Sequence, residues 1–547
     1  MELLERYLTK IEYDDYADFK KNYKVIVPNS FDFSRDIVDE WARLEEDKLA
    51  LIYVDDDDRE LRFTFKDVSY LSKKIAGYLK SIGIKKGDKV LTLLRRHYSF
   101  WLIAVATARL GAVLVPVSTQ METKDLTYRV NASNAKAIIA VDDEFVKKQI
   151  APLKERCPTL QTIAVVDKKT ESEYLDFNLG FKDAEPLEEY SGARNNDDMI
   201  IFFTSGTTAY PKQTIHSYLY PLGHIITAKY LHQVENNGLH ITQADSGWAK
   251  FGWGNIYGQW ICGTAILGYD PKRFEPKKFT EILRRYRPTT LCLPPTMYRM
   301  LLRDGLQKED VKGIKNFTSA GEALTKELNV TFKSISGKYI REGFGQSEGT
   351  PIFANWKYID VKLSSMGKAT PQSDVRLINQ KGDVANAGEA GEVVLIEKEE
   401  NIGILKGYVY DKKFIAPFVD GKYKTGDIAY LDKDGYAFYV GRNDDVIKCS
   451  GYRISPYEIE GVLNEHEAVK ESAIIGMPDS IRGQIVCAVI VLKDGFNASE
   501  ELTKSIQNFV KQNTAPYKYP RVVKYVEEIK KTTSGKIERK SLKNMIN

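Results

Sequence analysis

Long charge-free apolar runs are missing from this chain of 547 residues, and a helix that crosses a bilayer needs about 20 predominantly apolar residues. The expectation is a protein with no membrane partner. Cysteine is scarce as well: Cys157, Cys262, Cys292, Cys449 and Cys487 stand far apart, with no CxxC spacing and no cluster of histidines beside them. That argues against a zinc site and a disulfide framework, and predicts reduced, mostly buried thiols. Net charge is almost absent, +4 from 79 basic and 75 acidic residues interspersed along the chain. Without a basic stripe there is no footprint for nucleic acid, so the expected partners are small molecules, with a homo-oligomer left open. Met1 to Lys20 mixes acidic and basic side chains without a signal or transit pattern, which predicts a cytoplasmic protein. Internal repeats and low-complexity linkers are lacking too.

What is present fits a globular protein of more than one domain: 43% apolar and 28% charged residues, in a chain too long for a single core. Gly87 to Val117 reads as a βαβ unit, with a β-branched stretch Lys89 to Leu94, helical spacing over Ser99 to Leu110 and a second apolar run Ala112 to Val117. Ala137 to Val141, Thr162 to Val166 and the pair Phe279 to Tyr286 and Thr290 to Leu293 continue the alternation, which implies parallel sheets covered by helices. From about Gly367 to Tyr439 short strands separated by Gly and Asp turns predict a β-rich subdomain. After Gly441-Arg442-Asn443-Asp444-Asp445 come a helix at Ser455 to Glu465, strands at Val469 to Gly476 and Val486 to Leu492, and a helix at Ser499 to Asn513. The expected fold class is α/β and multidomain. Residues 1–441 would form a large N-terminal domain, and 442–547 a small α+β domain.

Asp198 to Phe203 has the pattern of a buried strand and runs into Thr204-Ser205-Gly206-Thr207-Thr208-Ala209-Tyr210-Pro211-Lys212. Hydroxyls and backbone N–H groups around a glycine converge on an anion, and the lysine adds positive charge, so a phosphate-binding loop is the natural reading. The plainer one is a Ser/Thr-rich surface turn. The spacing is not the GxxxxGK[ST] of P-loop NTPases.

The segment resembles the signature loop of the adenylate-forming superfamily, which holds acyl-CoA synthetases, peptide-synthetase adenylation domains and luciferases. Ala209 and Gln213 stand where that family usually has glycine. Further motifs follow in the family's order: Ser319-Ala320-Gly321-Glu322-Ala323-Leu324, Gly343-Phe344-Gly345-Gln346-Ser347-Glu348, Lys424-Thr425-Gly426-Asp427, Gly441-Arg442-Asn443-Asp444-Asp445 and Thr533-Ser534-Gly535-Lys536-Ile537-Glu538-Arg539.

The resemblance implies ATP, Mg²⁺ and coenzyme A as cofactor and co-substrates, and it assigns roles. Thr204, Ser205, Gly206, Thr207, Thr208 and Lys212 would hold phosphates. Gly321, Glu322, Ala323, Phe344, Gly345 and Gln346 would bind ATP or AMP, Phe344 against adenine, with Ser347 near the α-phosphate and Glu348 on magnesium. Asp427 would take the ribose, Arg442 ribose or phosphate, Arg453 would face the nucleotide, and Lys536 would be the catalytic lysine; residues 1–441 would thus be the ATP- and acid-binding domain and 442–547 the mobile one, hinged near 442–445. Asp444 is the implied hinge. Ser450, Gly451 and Tyr452 would line the pantetheine path, and Arg482 and Lys511 would meet coenzyme A phosphates.

Ser246 to Trp260, dense in aromatics and glycine, can shape an apolar slot. It looks like the medium-chain acyl-CoA synthetases and their branched-chain relatives, with Trp248, Lys250, Trp253 and Gly345 as pocket residues; the alternative is ordinary core packing. Acetate-specific relatives carry a Trp where this chain has Gly345, so acids larger than acetate are expected. The expected activity is an AMP-forming acyl-CoA synthetase. Two other readings stand beside it: a ligase that loads a carrier protein, and a sensor without catalysis, against which Lys536 and Glu348 speak.

Overall fold

The computed structural model describes residues 3–169, 173–204, 211–398, 402–443, 445–449, 452–479, 482–514, 518–531 and 537–546. The chain divides into two compact units, one of Met1–Leu363, Gly367–Asp374 and Glu397–Asp420, the other of Ser364–Met366, Val375–Ile396 and Gly421–Asn547.

The first unit holds two sheets of nine strands each among the described residues. In one, Leu49–Asp55, Ala265–Asp270, Leu239–Thr242, Thr290–Cys292, Asn316–Ala320 and Ile340–Phe344 lie parallel in that order. Antiparallel strands close both of its edges. In the other, Val113–Pro116, Lys89–Leu93, Ala135–Val141 and Thr162–Val166 are parallel. Beyond them Asp198–Thr204 turns back antiparallel into Lys212–Ser217, which pairs with Gly407–Tyr410. The expected βαβ unit is present as Lys89–Leu93, Ser99–Leu110 and Val113–Pro116. Its helix ends at Gly111, whose φ of +76° closes the cap without a Cβ penalty. Every residue of that helix is buried. One side covers its own sheet, and on the other the Trp101 indole donates to the Asn255 carbonyl and lies against Gly268, where a Cβ would come within 2.8 Å of the ring. Apolar strands packed on two faces explain why these segments read as continuous hydrophobic runs instead of alternating ones.

In the second unit Gly391–Ile396, Lys422–Leu431 and Ala437–Arg442 pair antiparallel, and the strand Asp374–Ile378 adjoins Gly391–Ile396 in the same sheet. A five-stranded sheet follows, built on the long hairpin Val469–Asp479 and Gly483–Leu492. Successive side chains of that hairpin alternate between two cores: Ile474, Ala488 and Ile490 meet Ile459, Leu463, Ile506 and Val510 on one face, while Ile475, Cys487 and Val489 meet Ile529 and Leu542 on the other. Ser455 and Ser499 cap the helices Pro456–Leu463 and Glu500–Asn513 by accepting from the backbone N–H of Glu458 and Leu502.

At the expected boundary, 441/442, the residues on both sides group together: Val375–Ile396 and the chain from Gly421 onward belong to one unit, while Gly367–Asp374 and Glu397–Asp420 of the β-rich segment belong to the first. Ile428, Val440 and Val446 form one apolar cluster across that point, and the Tyr439 ring meets Tyr457 at 5.1 Å. The implied hinge residue Asp444 lies outside the described residues.

Candidate active site

The loop read as phosphate-binding joins two antiparallel strands, and Thr204 and Lys212 are partners across its base. Residues 205–210, which include Ser205, Gly206, Thr207 and Thr208, lie outside the described residues. Period-two alternation puts Lys212, Thr214 and His216 on one face, and Tyr408, opposite Thr214 on the neighbouring strand, joins them. The Thr204 and Thr214 hydroxyls are 3.1 Å apart. The Lys212 ammonium lies 5.5 Å from the centre of the Tyr408 ring, a cation–π contact. From that ring the Tyr408 hydroxyl donates to Glu348 Oε1 at 3.1 Å.

The segment carrying Ser347 and Glu348 is held onto this face by three bonds. His216 Nε2–H donates to the Ser347 carbonyl at 2.8 Å, Leu405 N–H to the Glu348 carbonyl at 2.7 Å, and Thr350 N–H to the Gly403 carbonyl at 2.8 Å. The loop base and the expected magnesium carboxylate, 136 residues apart in sequence from Lys212 to Glu348, thus meet through Tyr408. Sequence reasoning did not find Tyr408. Its strand pairs with one almost two hundred residues earlier, and nothing local marks it.

Phe344 ends the strand Ile340–Phe344, and Gly345 follows against Trp253. A Cβ on Gly345 would stand 2.5 Å from the indole and 2.9 Å from the Thr350 carbonyl. Gln346 accepts from Gly349 N–H at 3.2 Å. Of the pocket candidates, Trp248 precedes the short helix Ala249–Gly254, Trp253 is buried, and the Lys250 ammonium donates to the Ala320 carbonyl at 2.7 Å. Burial lowers the Lys250 pKa, against smaller raising effects of Cys292 and Glu322. Gly321 turns the chain just after Ala320 with φ +96°, conformational space that favours glycine. Glu322 accepts from the Thr296 hydroxyl at 2.7 Å, and Ala323 is exposed.

Two features of this region escaped the sequence. Glu342, two residues before Phe344, is buried, and desolvation pushes its carboxyl up to about 8, with the Leu324 N–H pulling the other way. Four histidines, His216, His224, His232 and His240, are buried as well. Desolvation pulls His216 down to about 4 and His224 and His240 well below the ordinary imidazole value, so these rings are neutral. Their spacing of eight residues was the one visible signal.

In the second unit Asp427 and Arg442 are cross-strand partners. Asp427 is buried, takes a bond from the Tyr439 hydroxyl at 3.0 Å, and has the Arg442 guanidinium 3.5 Å away. Arg442 also donates to the Thr425 carbonyl at 3.0 Å and covers Gly426, whose φ is +74°. The residues expected at the ribose are therefore brought together. The Arg482 backbone N–H binds Asp479 at 2.7 Å, and the Lys511 ammonium lies 4.2 Å over the Tyr519 ring. Tyr452 and Arg453 form a strand with Ile454. Ser450, Gly451 and Lys536 lie outside the described residues; the segments flanking the last pair through an antiparallel bridge between Lys531 and Ile537.

Thr204 and Lys212 paired at the base of a strand turn, a carboxylate held beside them and a glycine–aromatic segment at a strand end fit a nucleotide-binding enzyme of α/β architecture. Comparison with known proteins narrows the class. The family described as AMP-binding enzyme matches residues 38–409, and the AMP-binding enzyme C-terminal domain matches residues 458–536. The human protein acyl-coenzyme A synthetase ACSM3, mitochondrial, is 34% identical over 98% of this chain and 93% of its own length. Human acyl-coenzyme A synthetase ACSM5, mitochondrial, is 36% identical over 95% and 91%. Among solved structures, the anthranilate CoA ligase AuaEII in complex with anthranoyl-AMP is 26% identical with a TM-score of 0.85, covering 95% of this chain and 98% of that one. The chain belongs to the AMP-binding enzyme family, among its acyl-coenzyme A synthetases.

Proposed function

We propose that this protein joins a carboxylic acid to coenzyme A at the expense of ATP, by way of an acyl-adenylate. The acid's carboxylate attacks the α-phosphorus and diphosphate leaves; the coenzyme A thiol then attacks the acyl carbonyl and AMP leaves. The observation that carries this reading is the single face on which Thr204, Lys212 and the Tyr408–Glu348 pair converge. In such a site the protein aligns the reactants and neutralises charge, and no side chain need become covalently bound.

Glu348, a carboxylate beside the loop base, would hold a magnesium ion, since Mg²⁺ in nucleotide sites takes only one or two protein carboxylates. When bound, the ion neutralises charge on the phosphates. Lys212 and Thr204 orient the phosphates from the strand base, Phe344 and Gly321 border the base, and Asp427 with Arg442 serves the ribose. Lys536 is assigned to the incoming carboxylate and α-phosphate, and rotation of the C-terminal segment about Asp444 to the change of half-reaction. Ser347 stands by the α-phosphate, and Ser450, Gly451, Tyr452, Arg482 and Lys511 serve coenzyme A. Medium-chain or branched acids are the proposed substrates, in the cytoplasm, without membrane or nucleic acid.

Lys536→Ala tests the assignment. Acid-dependent ATP–diphosphate exchange should fall by orders of magnitude, because a positioned charge is lost from the transition state. Thioester formation from supplied acyl-adenylate should persist. Equal loss in both half-reactions overturns the division of labour.

A further inference from the structure

Behind the Phe344–Gly345 turn lies a group of buried rings whose polar atoms have no hydrogen-bond partner among the described residues: His216 Nδ1, Tyr220 Oη, His224 Nε2 and Trp253 Nε1. Each of the four residues is more than nine-tenths buried. They are contiguous: the Tyr220 ring lies 4.3 Å from His216 and 4.5 Å from His224, and His224 lies 6.1 Å from Trp253. A Cβ on Gly252, next to Trp253, would stand 3.1 Å from the Tyr220 hydroxyl. The group adjoins the reaction site at two points, through the bond from His216 to the Ser347 carbonyl and through the indole of Trp253 over Gly345.

Buried polar groups are almost always paired, so four orphans in one patch need a partner that the described residues do not supply. The chemistry of that partner can be read from the rings. A carbonyl only accepts, so His216 donates through Nε2, and in the neutral ring Nδ1 is left as a bare acceptor. The Trp253 indole is a donor, and the Tyr220 hydroxyl serves either way. An acceptor and donors gathered in one contiguous patch match a group that both gives and takes a hydrogen bond, and the aromatic rings suit a flat or compact acyl group. A plain hydrocarbon end would leave all four atoms buried and unpaired.

Resting on the acyl-CoA synthetase reading, we infer that these four residues form the far wall of the acyl site and select acids that carry a hydroxyl or amino substituent over their unsubstituted parents. The substituent donates to His216 Nδ1 and accepts from the Trp253 indole or the Tyr220 hydroxyl.

The test is kcat/KM, by ATP–diphosphate exchange and by thioester formation, for matched acids: benzoate against its hydroxy and amino derivatives, hexanoate against its hydroxy derivatives. A site built to bond a substituent rejects the analogue without it, so at least one substituted acid should exceed its parent by about tenfold or more. Tyr220→Phe and Trp253→Phe each delete one orphan atom that makes no bond in the fold. Folded variants, verified by thermal melts, should lower that ratio severalfold. Parents equal to or better than every substituted acid overturn the selectivity and leave the ligase reading standing. A ratio unchanged in both variants overturns the assignment to this wall. No exchange with any acid overturns the inference together with the ligase reading.

Discussion

Gly345 has a backbone that any residue could adopt, since its φ is not among the positive values, yet it has no room for a side chain. Trp253 and the Thr350 carbonyl occupy the place of its Cβ. Gly345→Ala should therefore cost about 1–3 kcal/mol in a denaturant melt, the range for overpacking a tight core, and Gly345→Trp should cost more. Tryptophan cannot enter there as a simple plug for the pocket, as the comparison with acetate-specific enzymes had suggested. Trp253→Phe removes the ring atoms nearest to Gly345, so in that background the alanine penalty should shrink; a double-mutant cycle measures the coupling. An unchanged penalty would assign the obstacle to the Thr350 carbonyl. The sequence marked both residues as pocket candidates, but the reason they belong together is a contact between segments some ninety positions apart, which no local pattern encodes.

The strand Ile340–Phe344 shows what a pattern conceals. A glutamate in a strand reads as a solvent-facing residue, but this strand has neighbours on both sides and Glu342 is enclosed. With a folded value of about 8 against an ordinary 4.5, the native carboxyl stays protonated while the unfolded one ionises. Its stabilising effect is full below pH 4.5 and is lost as pH rises to about 8. Glu342→Gln does not titrate, so its stability relative to the parent should climb by about 1.4 kcal/mol per pH unit through that window. Urea melts at several pH values check the slope, and a constant offset from the new amide leaves it unaltered. A flat difference would mean that Glu342 ionises normally. Helices and parallel strands were legible because apolar periodicity and caps are local. The antiparallel additions Lys212–Ser217 and Gly407–Tyr410 were not, since pairing at a sheet's edge leaves little mark on composition.

The β-rich stretch and the C-terminal module were legible as two textures, and the apolar cluster of Ile428, Val440 and Val446 that joins them across the polar turn was not, because its members come from separate strands and a turn. One buried ion pair anchors the C-terminal end of the second unit. Arg539 donates twice to Glu460, at 2.6 and 2.8 Å, while Glu460 also accepts from Ile474 N–H at 2.7 Å. Arg539→Met leaves a buried carboxylate without its cation and should destabilise this unit by about 3–5 kcal/mol in chemical denaturation. Adding Glu460→Gln should recover part of that loss; no recovery would mean that the arginine acts through packing alone. The burial of all five cysteines gives the two units separate signatures. Cys157, Cys262 and Cys292 belong to the first, Cys449 and Cys487 to the second, and burial raises the Cys157 thiol and pushes Cys487 up to about 11. A chromogenic disulfide reagent should therefore release almost no colour from the native protein, two equivalents when only the second unit opens, and three when only the first does. The molecule carries its own stoichiometric counter: in a denaturant series, the step at which colour appears reports which half has come apart.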